Sequence, residues 1–225
     1  MPAPEAVVFD AYGTLLDVNA AMQGQAARLG ARWAALSAEW RAKQLEYTWV
    51  RSLTGAAHHE DFWLCTRDAL HFVFTRHGIA DAALEKALME AYRTLPAYPE
   101  VPGVLRAIRD RGMAVAILSN GTPGMLADAV AAAGIAPLVD EVLSVESVGV
   151  FKPDPRVYRL ATRQFGCAAD RLAFVSGNAW DAQAAHAFGM LAVRVNRAGA
   201  PDEYGLAEAG VPVLDDLQGL IGVLS

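Results

Sequence analysis

The sequence has little cysteine, no excess of basic charge and no long apolar run, and each shortage excludes something. Only two cysteines occur in 225 residues. They are Cys65 and Cys167, far apart and without the spacing of a metal site. That usage suits free thiols in a reducing cytosol, and a cytoplasmic protein is the expectation. Lys and Arg number 19 against 25 Asp and Glu, a formal net charge of −6. Such a balance carries no footprint for nucleic acid or an anionic membrane, and neither partner is expected. It leaves an anionic small molecule open, because charge inside a pocket decides that. No uninterrupted apolar stretch is long enough to span a bilayer. Met1 to Glu5 lacks the basic start and apolar run of a signal peptide. Histidine is scarce too, at five. His58 and His59 adjoin in an expected loop, His71 and His77 share a helix off the i, i+4 spacing, and His186 is isolated. No metal centre is expected from them.

What remains is a chain of 54% hydrophobic and 20% charged residues, the composition of a compact globular protein. Its length suits one large domain, or a core with a smaller insert. Ala6-Val7-Val8-Phe9 reads as a fully buried strand that ends at Asp10. From about Asp17 to Tyr98 the chain is rich in Ala, Leu, Glu and Arg and shows no strand pattern. Ser37 is expected to cap a helix running through Trp40, Gln44, Tyr47 and Leu53. A second helix is expected from Glu60 to His77, and a third, capped by Asp81, to about Leu95.

After Pro99 the rhythm changes. Strands are expected at Ala114–Leu118, Glu141–Leu143, Leu172–Val175 and Leu191–Val195. Between them fall helices near Val104–Arg111, Pro123–Ala133, Pro155–Phe165 and Ala179–Phe188, each followed by a glycine. This alternation predicts an α/β fold with a doubly wound parallel sheet. The expected division is a Rossmann-like core of residues 1–16 and 98–225, with a helical cap of residues 17–97 inserted after the first strand.

In open parallel sheets, ligands bind beyond the carboxyl ends of the strands. Those ends deliver Asp10, then Ser119 and Asn120, then Ser176, Asn178 and Asp181, with Lys152 following Val148-Gly149-Val150-Phe151. Each residue alone reads as a turn or cap residue. Their joint arrival at one sheet edge reads as a site.

The ordered segments Phe9-Asp10-Ala11-Tyr12-Gly13-Thr14-Leu15, Leu118-Ser119-Asn120-Gly121, Phe151-Lys152-Pro153 and Ser176-Gly177-Asn178-Ala179-Trp180-Asp181 resemble the haloacid dehalogenase superfamily over nearly the whole chain. Most members of that superfamily are magnesium-dependent phosphatases. They carry a second Asp two places after the nucleophile and an acidic metal ligand after the Gly of the last motif. Here those places hold Tyr12 and Asn178. A multiply charged phosphoryl group normally needs Mg²⁺ beside the attacking carboxylate, so both departures count against a phosphatase. They are instead what the L-2-haloacid dehalogenase branch looks like. Trp40-Arg41 and Gln44-Leu45-Glu46-Tyr47-Thr48-Trp49 resemble the stretch that supplies that branch's halide-facing arginine.

The resemblance implies hydrolysis of short L-2-haloacids to D-2-hydroxy acids with no cofactor and no metal. Asp10 displaces halide from C2, and water then attacks the carbonyl carbon of the aspartyl ester. Lys152 is placed beside Asp10, and Thr14 and Ser176 are orienting groups. Ser119 and backbone N–H groups after Asp10 hold the substrate carboxylate, while Arg41 and Asn120 stabilise the departing halide. Asn178 and Asp181 position water or Lys152, and either Asp181 or Lys152 is the base of the second step. Tyr158 supports the site. Tyr12 and Trp180 border the substrate, and Phe62 and Trp63 read equally as apolar cover or cap core. The resemblance also implies a homodimer. Two other readings use the same residues: a superfamily phosphatase acting on a small phosphorylated metabolite, and a silent binding protein of the same fold.

Overall fold

Four consecutive apolar residues open the fold. Ala6, Val7, Val8 and Phe9 are all 0% exposed, although alternate side chains of a strand point to opposite faces. The strand they form, β1 (Ala6–Phe9), is therefore covered on both sides, as parallel sheets require. The computed structural model describes residues 4–224. Met1 to Ala3, within the stretch read for a leader, and Ser225 lie outside the described residues.

After β1 come five helices: α1 (Ala20–Gly24), α2 (Ala26–Leu29), α3 (Trp33–Leu53), α4 (Phe62–Arg76) and α5 (Ala82–Arg93). The chain then alternates. It runs through α6 (Val101–Arg109), β2 (Ala114–Ser119), α7 (Pro123–Ala132), β3 (Glu141–Ser144), α8 (Pro155–Phe165), β4 (Leu172–Ser176), α9 (Ala179–Phe188) and β5 (Leu191–Val195). A two-residue strand, β6 (Val213–Leu214), and a short helix, α10 (Leu220–Val223), end it. The six strands form one parallel sheet in the order β3-β2-β1-β4-β5-β6. Strand order reverses at β1, which puts its carboxyl end at the crevice where such sheets bind ligands.

The helices after β1 bury one stripe each. On α3 the buried residues are Leu36, Ser37, Trp40, Gln44, Leu45 and Thr48, a spacing that keeps them on one face. The Trp40 indole N–H donates to the Thr66 carbonyl at 2.8 Å, tying α3 to α4. Ser37 does not cap α3. A tight turn at Gly30–Arg32 already has helical geometry and carries the helix back to Trp33, so Ser37 lies one turn inside. Its hydroxyl donates to Asn19 Oδ1 at 2.8 Å instead. Asp61 and Asp81 do cap α4 and α5, accepting from the N–H of Leu64 and Leu84. The helix expected from Glu60 thus begins two residues later.

The two ends of this helical insert meet. Leu16 pairs with Ala97, Asp17 N–H donates to the Pro96 carbonyl at 2.9 Å, and Tyr98 N–H donates to the Leu15 carbonyl at 3.0 Å. Arg197 braces the junction from the core. It donates to the Thr14 carbonyl at 3.1 Å, lies 3.7 Å over the Tyr98 ring and pairs with Glu100 at 2.6 Å.

Candidate active site

Asp10 is the first residue beyond β1, and its backbone N–H still donates to Val175 at 3.0 Å. The residue is 5% exposed, and donors meet both of its side-chain oxygens. Lys152 Nζ donates to Oδ1 at 3.1 Å, while Thr14 Oγ1 and Asn178 Nδ2 donate to Oδ2 at 3.1 and 2.8 Å. Donors on both oxygens hold the carboxylate in one orientation.

A glycine makes the approach of the Asn178 loop possible. An added Cβ on Gly177 would stand 2.3 Å from the Gly13 carbonyl oxygen, so only glycine lets the loops after β1 and β4 touch. The touching is used: Gly177 N–H donates to Thr14 Oγ1 at 2.7 Å, which aims the Thr14 proton at Asp10. Asn178 stands at the N-cap position of α9 without capping it. Its amide goes to Asp10, and its Oδ1 accepts from Arg41 at 3.4 Å.

Lys152 is buried, reaches Asp181 Oδ2 at 2.8 Å as well as Asp10, and lies 4.9 Å over the Phe174 ring. Burial works against its charge, but the Asp10 and Asp181 carboxylates outweigh that and hold the ammonium above the ordinary lysine range. Asp181 is wholly enclosed. Burial, reinforced by the nearby Asp10 charge, raises its carboxyl, and Lys152 pulls the other way. Tyr158 O–H donates to Asp181 Oδ1 at 2.6 Å and Ser176 Oγ donates to Oδ2 at 3.1 Å. Burial, then the Asp181 charge, keeps the Tyr158 phenol protonated well above its usual value.

Asn120 accepts the Lys152 backbone N–H on Oδ1 at 3.0 Å, which turns its amide nitrogen away from that contact. Ser119 Oγ accepts the Gly121 N–H at 3.2 Å. The N–H groups of Gly13 to Leu16 are taken up in the turn by the Ala11 and Leu16 carbonyls. Those of Ala11 and Tyr12 make none of these bonds.

From the insert, Arg41 on α3 enters the same space. It donates to the Tyr12 carbonyl at 3.2 Å and to Gln44 Oε1 at 2.7 Å. The Tyr12 ring stacks on Tyr92 at 5.4 Å and leans on Phe62 at 5.5 Å. Its buried hydroxyl has no hydrogen-bond partner among the described residues, and burial holds the phenol far above its usual value. The site is therefore a charged floor on the core with an aromatic and cationic roof on the insert.

The profile described as haloacid dehalogenase-like hydrolase, a hydrolase family, matches residues 4–189. The chain belongs to the haloacid dehalogenase-like hydrolases. Among curated relatives, it is 43% identical over 203 residues to (S)-2-haloacid dehalogenase 1 of Pseudomonas sp. strain CBS-3, covering 90% of this chain and 88% of that one. A dehalogenase crystal structure superposes with a TM-score of 0.94 at 40% identity, over 99% of this chain and 98% of that one. The L-2-haloacid dehalogenase of Xanthobacter autotrophicus, solved with chloropropionic acid covalently bound, superposes with a TM-score of 0.85 at 32% identity, over 98% of both chains. Within the family the chain falls in the L-2-haloacid dehalogenase branch.

In this dehalogenase-like chain the twelve residues expected at the site are not all in one cluster. Asp10, Thr14, Lys152, Ser176, Asn178, Asp181, Tyr158, Asn120, Arg41 and the Tyr12 carbonyl share one hydrogen-bond network. Ser119 adjoins it through the chain. Trp180 joins none of these bonds among the described residues and meets Trp49 of α3 edge-on at 5.6 Å. Phe62 is buried against Tyr12, whereas Trp63 is half-buried against the core with Arg93 over its ring. Three histidines pair with glutamates: His59 with Glu146, His71 with Glu85 and His77 with Glu39. Burial pushes the Cys65 thiol up to about 11, which leaves it a poor nucleophile.

Sequence reading missed the residues that hold Arg41, namely Gln44, Thr66 and Tyr92. One signal was present, since Gln44 stands three places after Arg41 on one helix, a spacing at which side chains meet. Thr66 and Tyr92 carried none.

Proposed function

We propose that this chain is an (S)-2-haloacid dehalogenase that works through an aspartyl ester on Asp10, without a metal. The observation that carries the reading is the Asp10 carboxylate, fixed by Lys152, Thr14 and Asn178, with the Asn178 amide linking it to Arg41 at the place where a phosphatase sets an acidic metal ligand. The relatives' activity agrees with it, and so does the covalently bound chloropropionate of the Xanthobacter autotrophicus enzyme.

In the first step an Asp10 oxygen attacks C2 of the substrate. The C–O bond forms as the carbon–halogen bond breaks, and the halogen leaves with the bonding pair. Inversion at C2 turns an L substrate into a D product. Two anions must meet here, and oriented donors offset their repulsion. Lys152 serves the nucleophile. Ser119 and the N–H groups of Ala11 and Tyr12 serve the substrate carboxylate. Arg41 and the Asn120 amide nitrogen serve the halide.

In the second step water adds to the ester carbonyl carbon, and its proton goes to a base. Lys152 is held protonated by two carboxylates and has no lone pair to offer. Asp181 has one, and its raised pKa makes it the better proton acceptor. Collapse breaks the bond between that carbon and the C2 oxygen, the C2 oxygen takes the proton from Asp181, and Asp10 is restored as the 2-hydroxy acid leaves. Residues 1–16 and 98–225 act as the catalytic core and 17–97 as the cap. The working form is a cytoplasmic homodimer, which light scattering of the purified protein tests.

The deciding experiment is halide release from (S)-2-chloropropionate with and without EDTA, beside p-nitrophenyl phosphate with Mg²⁺. Halide release that survives EDTA, with D-lactate as product, is expected. Phosphate release that needs Mg²⁺, without halide, would replace this reading with the phosphatase one.

A further inference from the structure

Arg41 is a cation with only neutral partners. Its acceptors are Gln44 Oε1, the Tyr12 carbonyl and Asn178 Oδ1. Among the described residues no carboxylate stands within ion-pair distance of it, although ten of the other fifteen arginines have one. The partner that aligns it best is Gln44, which is 1% exposed.

The Gln44 amide is locked in one sense. Thr66 commits its own proton to the Phe62 carbonyl at 2.6 Å, so its oxygen accepts. Gln44 Nε2 donates to that oxygen at 2.6 Å. Oε1 is thereby turned the other way, where it accepts from Arg41 at 2.7 Å and from the Tyr92 hydroxyl at 3.1 Å. A chain of oriented dipoles, running from the Phe62 carbonyl through Thr66 to Gln44, ends on the guanidinium. Each link is buried, and the direction of each bond is set by the one before it.

We propose that Gln44 is a positioning residue that aims Arg41 at the departing halide while adding no charge of its own. The inference rests on the dehalogenase reading for the identity of the anion. Its content is that position 44 needs an acceptor and must stay neutral. Glutamate has the same length and accepts the same bond, but it would pair with Arg41 and satisfy the cation that the halide needs. Methionine fills the same space without charge and without an acceptor. The two substitutions separate charge from geometry.

The test is equilibrium chloride binding by the full chain, read from broadening of the chloride NMR line, with circular dichroism melts as the control for folding. Q44E is expected to weaken chloride binding at least about tenfold and Q44M about threefold, where tenfold corresponds to about 1.4 kcal/mol. Lowering the pH protonates the new carboxyl, so affinity relative to wild type is expected to recover in Q44E and not in Q44M. A role in packing alone would not produce that recovery. Thr66→Val, which unlocks the amide without touching Arg41, is expected to resemble Q44M, and it decides the matter with Q44M if Q44E does not fold. Wild-type affinity in Q44E, equal losses in Q44E and Q44M, unchanged affinity in folded Q44M and Thr66→Val, or no chloride binding by the wild type would each overturn the proposal. Chloride binding needs no turnover, so this proposal and the dehalogenase reading fail by different measurements.

Discussion

The core and the insert prepare opposite charges in opposite ways. On the core, Asp10, Lys152 and Asp181 are buried and consume one another: the ammonium lies 3.1 Å from one carboxylate and 2.8 Å from the other. On the insert, Arg41 meets dipoles only. A buried carboxylate without a cation would protonate and cease to be a nucleophile. An arginine paired with a carboxylate would have little attraction left for a leaving anion. The first charge must be held and the second must be left open. Dividing them between two structural units lets each keep its own kind of neighbour.

That contrast can be broken by substitution. Asp10→Asn is expected to have the largest effect, lowering steady halide release on the order of 10³-fold or more, with an unchanged circular dichroism spectrum. Turnover near wild type would sink the nucleophile assignment, once mass spectrometry shows that the amide has not hydrolysed back. Lys152→Met comes next. It strands two buried carboxylates and is expected to cost about 3–5 kcal/mol of stability in denaturant melts, besides activity. Arg41→Met is expected to slow halide release about 10²-fold, yet to cost stability less than Lys152→Met because its acceptors are neutral. Equal stability losses in the two variants would erase the contrast between held and open charge. Tyr158→Phe removes one bond to Asp181 and is expected to cost about 1.5–3 kcal/mol, read by the same melts.

The buried charges of the core set the expected pH profile. A lysine raised in the fold adds stability below its unfolded value and loses it only as pH rises through the folded one. The alkaline limb assigned to Lys152 is therefore expected above the ordinary lysine value of about 10.4. Asp181 is raised as well, so its protonated form is the one the fold favours. Stability from it is full below the unfolded value of about 3.9 and declines as pH climbs through the folded value. As the base of the second step it must be ionised, which places the acid limb of kcat above about 3.9. An alkaline limb between pH about 8 and 9, retained in a variant lacking both cysteines, would contradict the Lys152 environment.

Much of the core was legible in the residues themselves. Buried parallel strands read as apolar runs, and ligands gather at their carboxyl ends, so Asp10, Ser119 and Ser176 could be placed before any contact was known. The short elements at the end of the chain were not. Val213–Leu214 is too brief to show a period, and it is a strand only because β5 lies beside it. Ser37 misled for a related reason: a serine looks like a cap wherever a helix might begin, and the turn at Gly30–Arg32 carried the beginning upstream.

Consecutive residues were enough to set the order of the longer strands and helices, the carboxylate at the end of the first strand and the membership of the family. These depend on local pattern, since an apolar run, a glycine stop and a motif are written in consecutive residues. Which charges pair and which stay open was settled by packing. Lys152 meets Asp10 across 142 positions and Asp181 across 29. The Gln44 amide is turned by Thr66, a residue on another helix. Hydrogen bonds and ion pairs act over a few ångströms of space whatever the separation along the chain, so their partners exist only after packing has brought the elements together.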